Sequence, residues 1–145
     1  MAPDESALLQ EARNARDASY APYSRFHVGA ALQGADGVAY SGCNVENASY
    51  GLTSCAERGA VQAAVAAGCR SFGRLALSTD GPAPVAPCGA CRQVLAEFAP
   101  DLDIVSEAGG EVRRWTLGEL LPARFEMEDL RRAGAGPLDD REERT

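Results

Sequence analysis

The chain has 145 residues, a length typical of one domain that buries about 68–70% of the surface of its unfolded chain. Its 21 acidic and 14 basic residues give a formal net charge of −7 and a pI near 4.7, which disfavours binding to phosphate backbones and anionic membranes. No apolar run approaches the ~20 residues of a membrane span, and the acidic segment 1–6 precedes no apolar core of a signal peptide. We therefore expect a cytoplasmic protein with a small-molecule ligand and without a nucleic-acid or membrane partner.

The predicted elements alternate between helix and strand. In chain order, they are a helix over 5–19, strands over 28–32 and 38–41, a helix over 54–67, a strand over 75–78, a helix over 88–98, strands over 102–105 and 112–116, and a helical turn over 117–121. Short glycine-containing turns link the first two strands and the last two, which predicts antiparallel pairs. The pattern indicates one layered α/β domain over residues 1–130 around a mixed sheet of about five strands. The charged, glycine-rich residues 131–145 are predicted to form a disordered tail.

Cysteine and arginine usage limits the chemistry that this chain can perform. Its five cysteines are an odd number, which favours reduced thiols over a disulfide framework. All 14 basic residues are arginine, so no lysine is present for a Schiff base or a phosphate-binding loop. The sole histidine, His27, excludes a multi-histidine metal site. The chemistry must therefore depend on carboxylates, thiols or a thiolate-bound metal; Cys43 and Cys69 are interpreted as small buried side chains.

Three other cysteines stand at the starts of two predicted helices. Cys88 and Cys91 are three residues apart, so their sulfurs share one face of a first helical turn. A helix N-terminus favours the thiolate, and Cys55 begins its own helix in the same way. Three thiolates with an open fourth position are typical of catalytic zinc, whereas a structural site has four ligands. Glu57, two residues after Cys55, is the candidate proton carrier.

Each of these segments alone permits a different interpretation. Ser54 and Glu57 have the spacing of a helix capping box. Cys88 and Cys91 have the spacing of a redox dithiol. A redox pair has no use for a third cysteine two residues before a glutamate on another helix, so the combination favours zinc.

The chain resembles the homotetrameric class of zinc-dependent cytidine deaminases from about residue 20 to residue 125. A ligand-x-Glu segment followed by Pro-Cys-x-x-Cys is the known signature of zinc deaminases, and this sequence matches it with cysteine in place of histidine as the first ligand. The resemblance is carried by segments 20–26 (YAPYSRF), 28–31 (VGAA), 42–52 (GCNVENASYGL), 55–58 (CAER), 87–95 (PCGACRQVL) and 118–122 (GELLP). The block 44–47 (NVEN) is the most specific, because polynucleotide deaminases are not expected to carry it.

The resemblance implies a three-layer α-β-α sandwich, one zinc ion per subunit, and hydrolysis of cytidine and 2′-deoxycytidine to the uracil nucleosides plus ammonia. It implies a homotetramer with shared active sites. Cys55, Cys88 and Cys91 would hold zinc, and Glu57 would move a proton from water to N3 of the pyrimidine and then to the departing amine. Arg58 would bond the ligand sulfurs and offset their charge.

The resemblance also implies the substrate contacts. Asn44 and Glu46 would bind the ribose, with Glu46 accepting a hydrogen bond from the 3′-hydroxyl. Phe26 would flank the base, and Phe125 would come from a neighbouring subunit, although a core position is the alternative for each ring. Tyr50 and Ala56 complete the predicted substrate site. His27 stands where the family commonly has proline, and we interpret it as a residue of local structural importance. Arg92 follows the last predicted ligand, Cys91. It is either a residue that contacts the sulfurs or an ordinary surface residue.

Three other functions compete with this interpretation. A related deaminase of blasticidin S would share the zinc segments, but the 44–47 block favours a nucleoside. A zinc-stabilised binding module without activity would need a fourth strong ligand. A polynucleotide editor would need a basic surface, which the acidic pI disfavours.

Overall fold

The computed structural model describes residues 4–134 and contains every helix and strand that the sequence predicts. The elements in chain order are α1 (Glu5–Asp17), β1 (Val28–Gly34), β2 (Ala39–Cys43), a 3-10 helix (Tyr50–Leu52), α2 (Ala56–Ala66), β3 (Phe72–Thr79), α3 (Gly89–Phe98), β4 (Asp103–Ala108), β5 (Glu111–Thr116), α4 (Leu117–Leu120) and α5 (Met127–Arg132). The 3-10 helix and α5 were not predicted from the sequence.

The five strands form one mixed sheet in the order β2-β1-β3-β4-β5. The hairpins β1–β2 and β4–β5 are antiparallel, which confirms both predicted pairs. β1 and β3 are also antiparallel, whereas β3 and β4 are parallel because α3 carries the chain back across one face of the sheet. The mixed sheet of about five strands is thereby confirmed.

Helices cover both faces of the sheet, so the predicted three-layer α-β-α sandwich is also confirmed. On one face, α1 buries Leu8, Leu9 and Ala12 against sheet residues Ala31, Ala76 and Val105. On the other face, α2 and α3 enclose the larger apolar core, which includes Ala60, Val61, Leu75, Leu77, Leu95 and Ile104. The apolar periodicity of these helices is what assigns each of them to a face.

A glycine lets the start of α2 lie directly on the sheet. A Cβ atom at Gly42 of β2 would stand 2.4 Å from the carbonyl oxygen of Ala56 and 2.4 Å from the backbone nitrogen of Ala60. Real side chains do not reach such separations, so only glycine permits this approach. The contact fixes the first turn of α2, and with it the position of Cys55 and Glu57.

The last described helix crosses the predicted domain boundary at residue 130. At the start of α5, the Asp129 carboxylate accepts a hydrogen bond of 2.7 Å from the backbone nitrogen of Glu126, and the Asp129 backbone nitrogen donates to the carbonyl of Glu126 at 3.0 Å. The rest of the predicted tail, 135–145, lies outside the described residues, so the division at residue 130 stays a prediction.

Among residues 4–134, no helix is long and apolar enough to cross a membrane.

Candidate active site

The N-termini of α2 and α3 carry the cysteine cluster. Cys55 is the N-cap of α2 and Cys88 is the N-cap of α3, and both residues have extended backbone angles. Neither side chain caps its helix. Because an N-cap side chain lies beside the unpaired N–H groups of the first turn, a thiolate at this position is stabilised by the helix. Both thiols are therefore free to face each other in a field that favours negative charge.

The three predicted zinc ligands meet in space. The Sγ atoms of Cys55 and Cys88 are 3.7 Å apart and those of Cys88 and Cys91 are 3.4 Å apart, with all three atoms within 4.8 Å of one another. Thiolates about 2.3 Å from a tetrahedral zinc ion would be roughly 3.8 Å apart. All three cysteines are free thiols. The donor set therefore fits zinc with three protein ligands, and the exposed position of Cys88 places one side of the cluster at the surface.

Charge in the cluster is unevenly shared. A hydrogen bond from Cys91 lowers the pKa of Cys55 to about 5; burial opposes this shift, and Arg58 reinforces it. The same bond, followed by burial and the nearby charge of Glu57, raises the pKa of Cys91. Of these two thiols, Cys55 is the one whose environment favours the thiolate, the form that binds a metal ion.

Arg58 contacts one sulfur of the cluster. Its Nη2 atom is 3.5 Å from Cys55 Sγ and 3.5 Å from the carbonyl oxygen of Thr53. Within residues 4–134, its buried Nε atom has no hydrogen-bond partner. A guanidinium with a spare buried donor beside thiolates offsets their negative charge.

Glu57 is buried beside the thiols, with 5% of its surface exposed. Burial raises its pKa, and the negative charge of Cys55 adds to the effect. The capping-box interpretation of Ser54 and Glu57 is wrong, because α2 is capped at Cys55 and the Ser54 hydroxyl instead approaches the carbonyl of Cys55 at 3.5 Å. A carboxyl group whose pKa is raised holds a proton more readily than an exposed one, which suits a group that must accept and then release a proton.

The loop between β2 and α2 carries the predicted ribose contacts, Asn44 and Glu46, and pairs with the segment that leads into α2. Val45 and Ser54 exchange two antiparallel backbone hydrogen bonds of 3.0 Å each, which sets Asn44 opposite Cys55 and Glu46 opposite Thr53. Asn44 is buried; its Oδ1 accepts from the backbone nitrogen of Val28 at 2.9 Å, and its Nδ2 donates to the carbonyl of Phe26 at 2.7 Å. Asn44 thus ties the Phe26 segment to the loop that carries Glu46.

Glu46 stands in a surface cleft of about 410 Å³ that is lined by Tyr23, Ser24, Glu46, Tyr50 and Thr53. Its carboxylate accepts hydrogen bonds from the backbone nitrogens of Tyr23 at 2.9 Å and Ser24 at 3.1 Å, and from the Ser24 hydroxyl at 2.5 Å. The Ser24 hydroxyl is the first cause of a lowered pKa at Glu46. Glu46 is therefore ionised and held ready to accept a hydrogen bond.

The predicted aromatic contacts have different environments. Phe26 is 37% exposed and lies against Gly81 of the loop after β3. Tyr50 is 77% exposed and meets Tyr23 edge to face, with ring centroids 6.1 Å apart. Ala56 is fully buried. Neither exposed ring belongs to the apolar core, which removes the core interpretation for Phe26.

Phe125 is 59% exposed and is held in place through its backbone. Its carbonyl oxygen accepts a hydrogen bond of 2.9 Å from Gln93 Nε2 on α3. The ring borders a cleft with Ala96 and Glu97, which is a different cleft from the one that contains Glu46. The core interpretation is wrong for Phe125 as well.

The structure decides the role of Arg92, which the sequence left open, and adds Ser24 and Gln93, which the sequence did not single out. Arg92 Nε donates to the carbonyl of Pro87 at 2.7 Å and its Nη1 to that of Leu120 at 2.8 Å, so this side chain fixes the Cys88 turn instead of contacting the sulfurs. Ser24 and Gln93 lie within the segments that carry the family resemblance, but the sequence assigned neither of them a role. The Ser19 hydroxyl lies 2.5 Å from Nδ1 of His27, in agreement with a local structural role.

The fold and the site together define a zinc-dependent enzyme of the hydrolytic class, with three thiolate ligands and a buried carboxyl group. The sequence model of a protein family, described as the cytidine and deoxycytidylate deaminase zinc-binding region, matches residues 2–106 of this chain. The chain is 48% identical over 129 residues to cytidine deaminase from Sporosarcina psychrophila, which covers 88% of this chain and 95% of that protein. Cytidine deaminase from Mycobacterium tuberculosis (strain H37Rv) is 43% identical over 129 residues, covering 89% of this chain and 95% of that protein.

Solved structures lead to the same family. The 1.6 Å crystal structure of cytidine deaminase from Burkholderia pseudomallei superimposes with a TM-score of 0.81 at 50% sequence identity, covering 85% of this chain and 100% of that chain. The chain belongs to the zinc-dependent cytidine deaminase family.

Proposed function

We propose that this enzyme hydrolyses the exocyclic amine of cytidine and 2′-deoxycytidine, releasing ammonia and the corresponding uracil nucleoside, as a salvage reaction in the cytoplasm. The observation that carries the proposal is the meeting of Cys55, Cys88 and Cys91 beside the buried carboxyl of Glu57. The relatives of 43–48% identity are named cytidine deaminases, which favours this substrate over blasticidin S. Three thiolates leave a coordination position open, which favours catalysis over a closed structural site.

In this proposal, Glu57 carries the proton through the whole reaction. Zinc held by the three cysteines would supply the Lewis acidity that makes water a nucleophile at neutral pH. Glu57 accepts a proton from the attacking water and donates it to N3 of the pyrimidine. It then takes the second proton from the hydroxyl now bonded to C4 and delivers it to the amine, so that the C4–N bond breaks and ammonia leaves. Its burial suits this role, because the raised pKa lets the carboxyl hold the proton between the two transfers.

Arg58 balances the charge of the site. Three thiolates around a divalent cation leave a net charge of −1, which would oppose the loss of a proton from water. The guanidinium lies 3.5 Å from Cys55 Sγ and lowers the electron density that this sulfur offers the metal. We propose that Arg58 thereby keeps the metal acidic enough to activate water.

The nucleoside would lie between the cluster and the Glu46 cleft. Glu46 accepts from the 3′-hydroxyl and Asn44 donates to the ribose through its remaining amide proton. Phe26, exposed at the edge of the site, flanks the pyrimidine. Tyr50 completes the substrate surface from within the Glu46 cleft, whereas Ala56, fully buried next to the ligand Cys55, supports the site from behind.

The active form is proposed to be a homotetramer in which neighbouring subunits complete each site. Large apolar side chains are exposed on one chain: Tyr23 at 50%, Tyr50 at 77%, Leu52 at 71% and Phe125 at 59%. Tyr23 and Tyr50 touch edge to face and so form one apolar patch, and contiguous exposed patches are typical of surfaces that pack against a partner. Phe125 would be donated to a neighbour's pyrimidine site and exclude water from it, which strengthens the electrostatic stabilisation there.

The test of the proposed function measures metal and activity on one preparation. We expect about one zinc ion per chain and loss of the ultraviolet absorbance of cytidine and 2′-deoxycytidine as they become uridine and 2′-deoxyuridine. Chelation should abolish the reaction and added zinc should restore it. A zinc-replete enzyme that leaves both nucleosides unchanged would disprove the assignment.

Sharing of the active site is tested by mixing inactive variants. Phe125→Ala and Glu57→Gln, dissociated and reassembled together, should regain activity above either parent, because some interfaces then pair an intact Glu57 with an intact Phe125. The matched control mixes Glu57→Gln with Cys88→Ala, whose defects lie in the same chain's cluster, and should show no gain. Absence of recovery in the first mixture, together with monomers by light scattering, would contradict the shared site.

A further inference from the structure

We propose that Ser24 is a positioning residue for ribose recognition, whose hydroxyl sets the Glu46 carboxylate so that one oxygen, Oε2, accepts the 3′-hydroxyl of the nucleoside. This inference rests on the proposed function and extends it to a residue outside the cluster. It assigns the ribose bond to a particular atom and makes the turn before β1 part of substrate selection.

The first argument is the occupancy of the two Glu46 oxygens. Oε1 accepts from the backbone nitrogens of Tyr23 at 2.9 Å and Ser24 at 3.1 Å, which uses both of its lone pairs. Oε2 accepts from the Ser24 hydroxyl at 2.5 Å, which is its one hydrogen bond among the described residues. A single lone pair on Oε2 therefore stays available, and a sugar hydroxyl that donates to Glu46 must use it.

The second argument is the direction of the Ser24 hydroxyl bond. The backbone nitrogen of Phe26 donates to Ser24 Oγ at 3.0 Å, so this oxygen is already an acceptor. An ionised carboxylate has no proton to give, so the hydroxyl proton of Ser24 must point at Oε2 of Glu46. Ser24 thus links the carboxylate proposed to bind the ribose to the backbone of Phe26, the ring proposed to flank the base.

The backbone of the turn supports a functional constraint. Arg25 adopts a left-handed conformation with φ of 59°, which is unfavourable for a residue with a Cβ atom. Its backbone nitrogen donates to the carbonyl of Ala21 at 3.0 Å and closes the turn. This closure aims the Tyr23 and Ser24 nitrogens at one carboxylate oxygen.

The experiment compares substrates with and without the 3′-hydroxyl. In Ser24→Ala, Oε2 loses its positioning donor, so the KM for cytidine should rise about tenfold, the effect of one hydrogen bond to a charged group. The kcat should change by less than about twofold, because the groups at C4 are untouched. For 3′-deoxycytidine, the variant and the wild type should have the same KM. Ser24→Thr, which keeps the hydroxyl, should restore the KM for cytidine.

A readout without turnover and a matched control complete the design. Calorimetry with the product uridine should show the same loss of affinity in Ser24→Ala, and no loss with 3′-deoxyuridine. Ser71→Ala removes an exposed serine hydroxyl at the N-terminal end of β3, the opposite end of the sheet, and should leave every value unchanged.

Each contrary result has a distinct meaning. Equal losses for cytidine and 3′-deoxycytidine would overturn the inference by showing that Ser24 only maintains the turn. An unchanged KM for cytidine in Ser24→Ala, or no rescue by threonine, would also overturn it. Failure of the wild type to deaminate any cytosine nucleoside would instead disprove the proposed function itself, before the variants are compared.

Discussion

Glu57→Gln is expected to lower kcat by about 10²–10⁴-fold, the usual contribution of a positioned acid–base group. The glutamine amide retains the size and hydrogen-bonding capacity of the buried carboxyl but cannot accept the proton from water or pass it to N3. Zinc content should stay near one per chain, because Glu57 supplies no sulfur to the cluster. Steady-state kinetics together with metal analysis would measure both effects.

The control for this substitution is Glu11→Gln, which makes the same chemical change at an exposed position on α1, on the other face of the sheet. Its kcat and zinc content should equal those of the wild type. If Glu57→Gln kept most of the wild-type kcat, another group would have to carry the proton and the proposed role of Glu57 would be refuted.

Cys88→Ala is expected to remove zinc and to reduce activity by at least about 10³-fold, since the Lewis acid contributes several kcal/mol to the transition state. Two thiolates remain, which is too few for a stable zinc site. Because Cys88 is exposed and caps α3 without a side-chain hydrogen bond, its loss should leave the fold intact, with an unchanged circular dichroism spectrum. Metal analysis after dialysis would give the zinc content.

Cys43→Ala is the matched variant, because Cys43 is a free, half-buried thiol in β2 outside the cluster. It should keep about one zinc ion and full activity. Tight retention of one zinc ion by Cys88→Ala would show that the metal is held by a different set of ligands.

The cysteine cluster was largely predictable because its spacing is local. Cys88 and Cys91 are separated by less than one helical turn, so a helix start alone brings their sulfurs together. The capping box failed as an alternative for a local reason as well: the N-cap of α2 is Cys55, one residue later than the pattern required. The same spacing of residues is compatible with a helix that is capped at Ser54 or at Cys55, so the sequence alone cannot tell which residue is the N-cap.

The substrate side of the site was predictable only through resemblance. The segment 44–47 identified Asn44 and Glu46, but no periodicity assigns hydrogen bonds within a loop. Asn44 proved to hold the backbone on both sides of His27, with bonds to Phe26 and Val28. Such bonds depend on where two loops meet and not on the properties of either segment.

By itself the sequence determined the order of helices and strands, the layered α/β class, and the ligand chemistry, because apolar periodicity and cysteine spacing act over a few residues. Only the tertiary structure decided which distant groups meet: Cys55 with Cys88 across 33 residues, Ser24 with Glu46 across 22, and the buried carboxyl of Glu57 with the thiols. The first contact and the third depend on the close packing of α2 against Gly42. The second depends on the turn at Arg25, whose left-handed backbone places Ser24 beside the Glu46 carboxylate. Packing sets both arrangements, because backbone separations of a few ångströms depend on how the layers fit together.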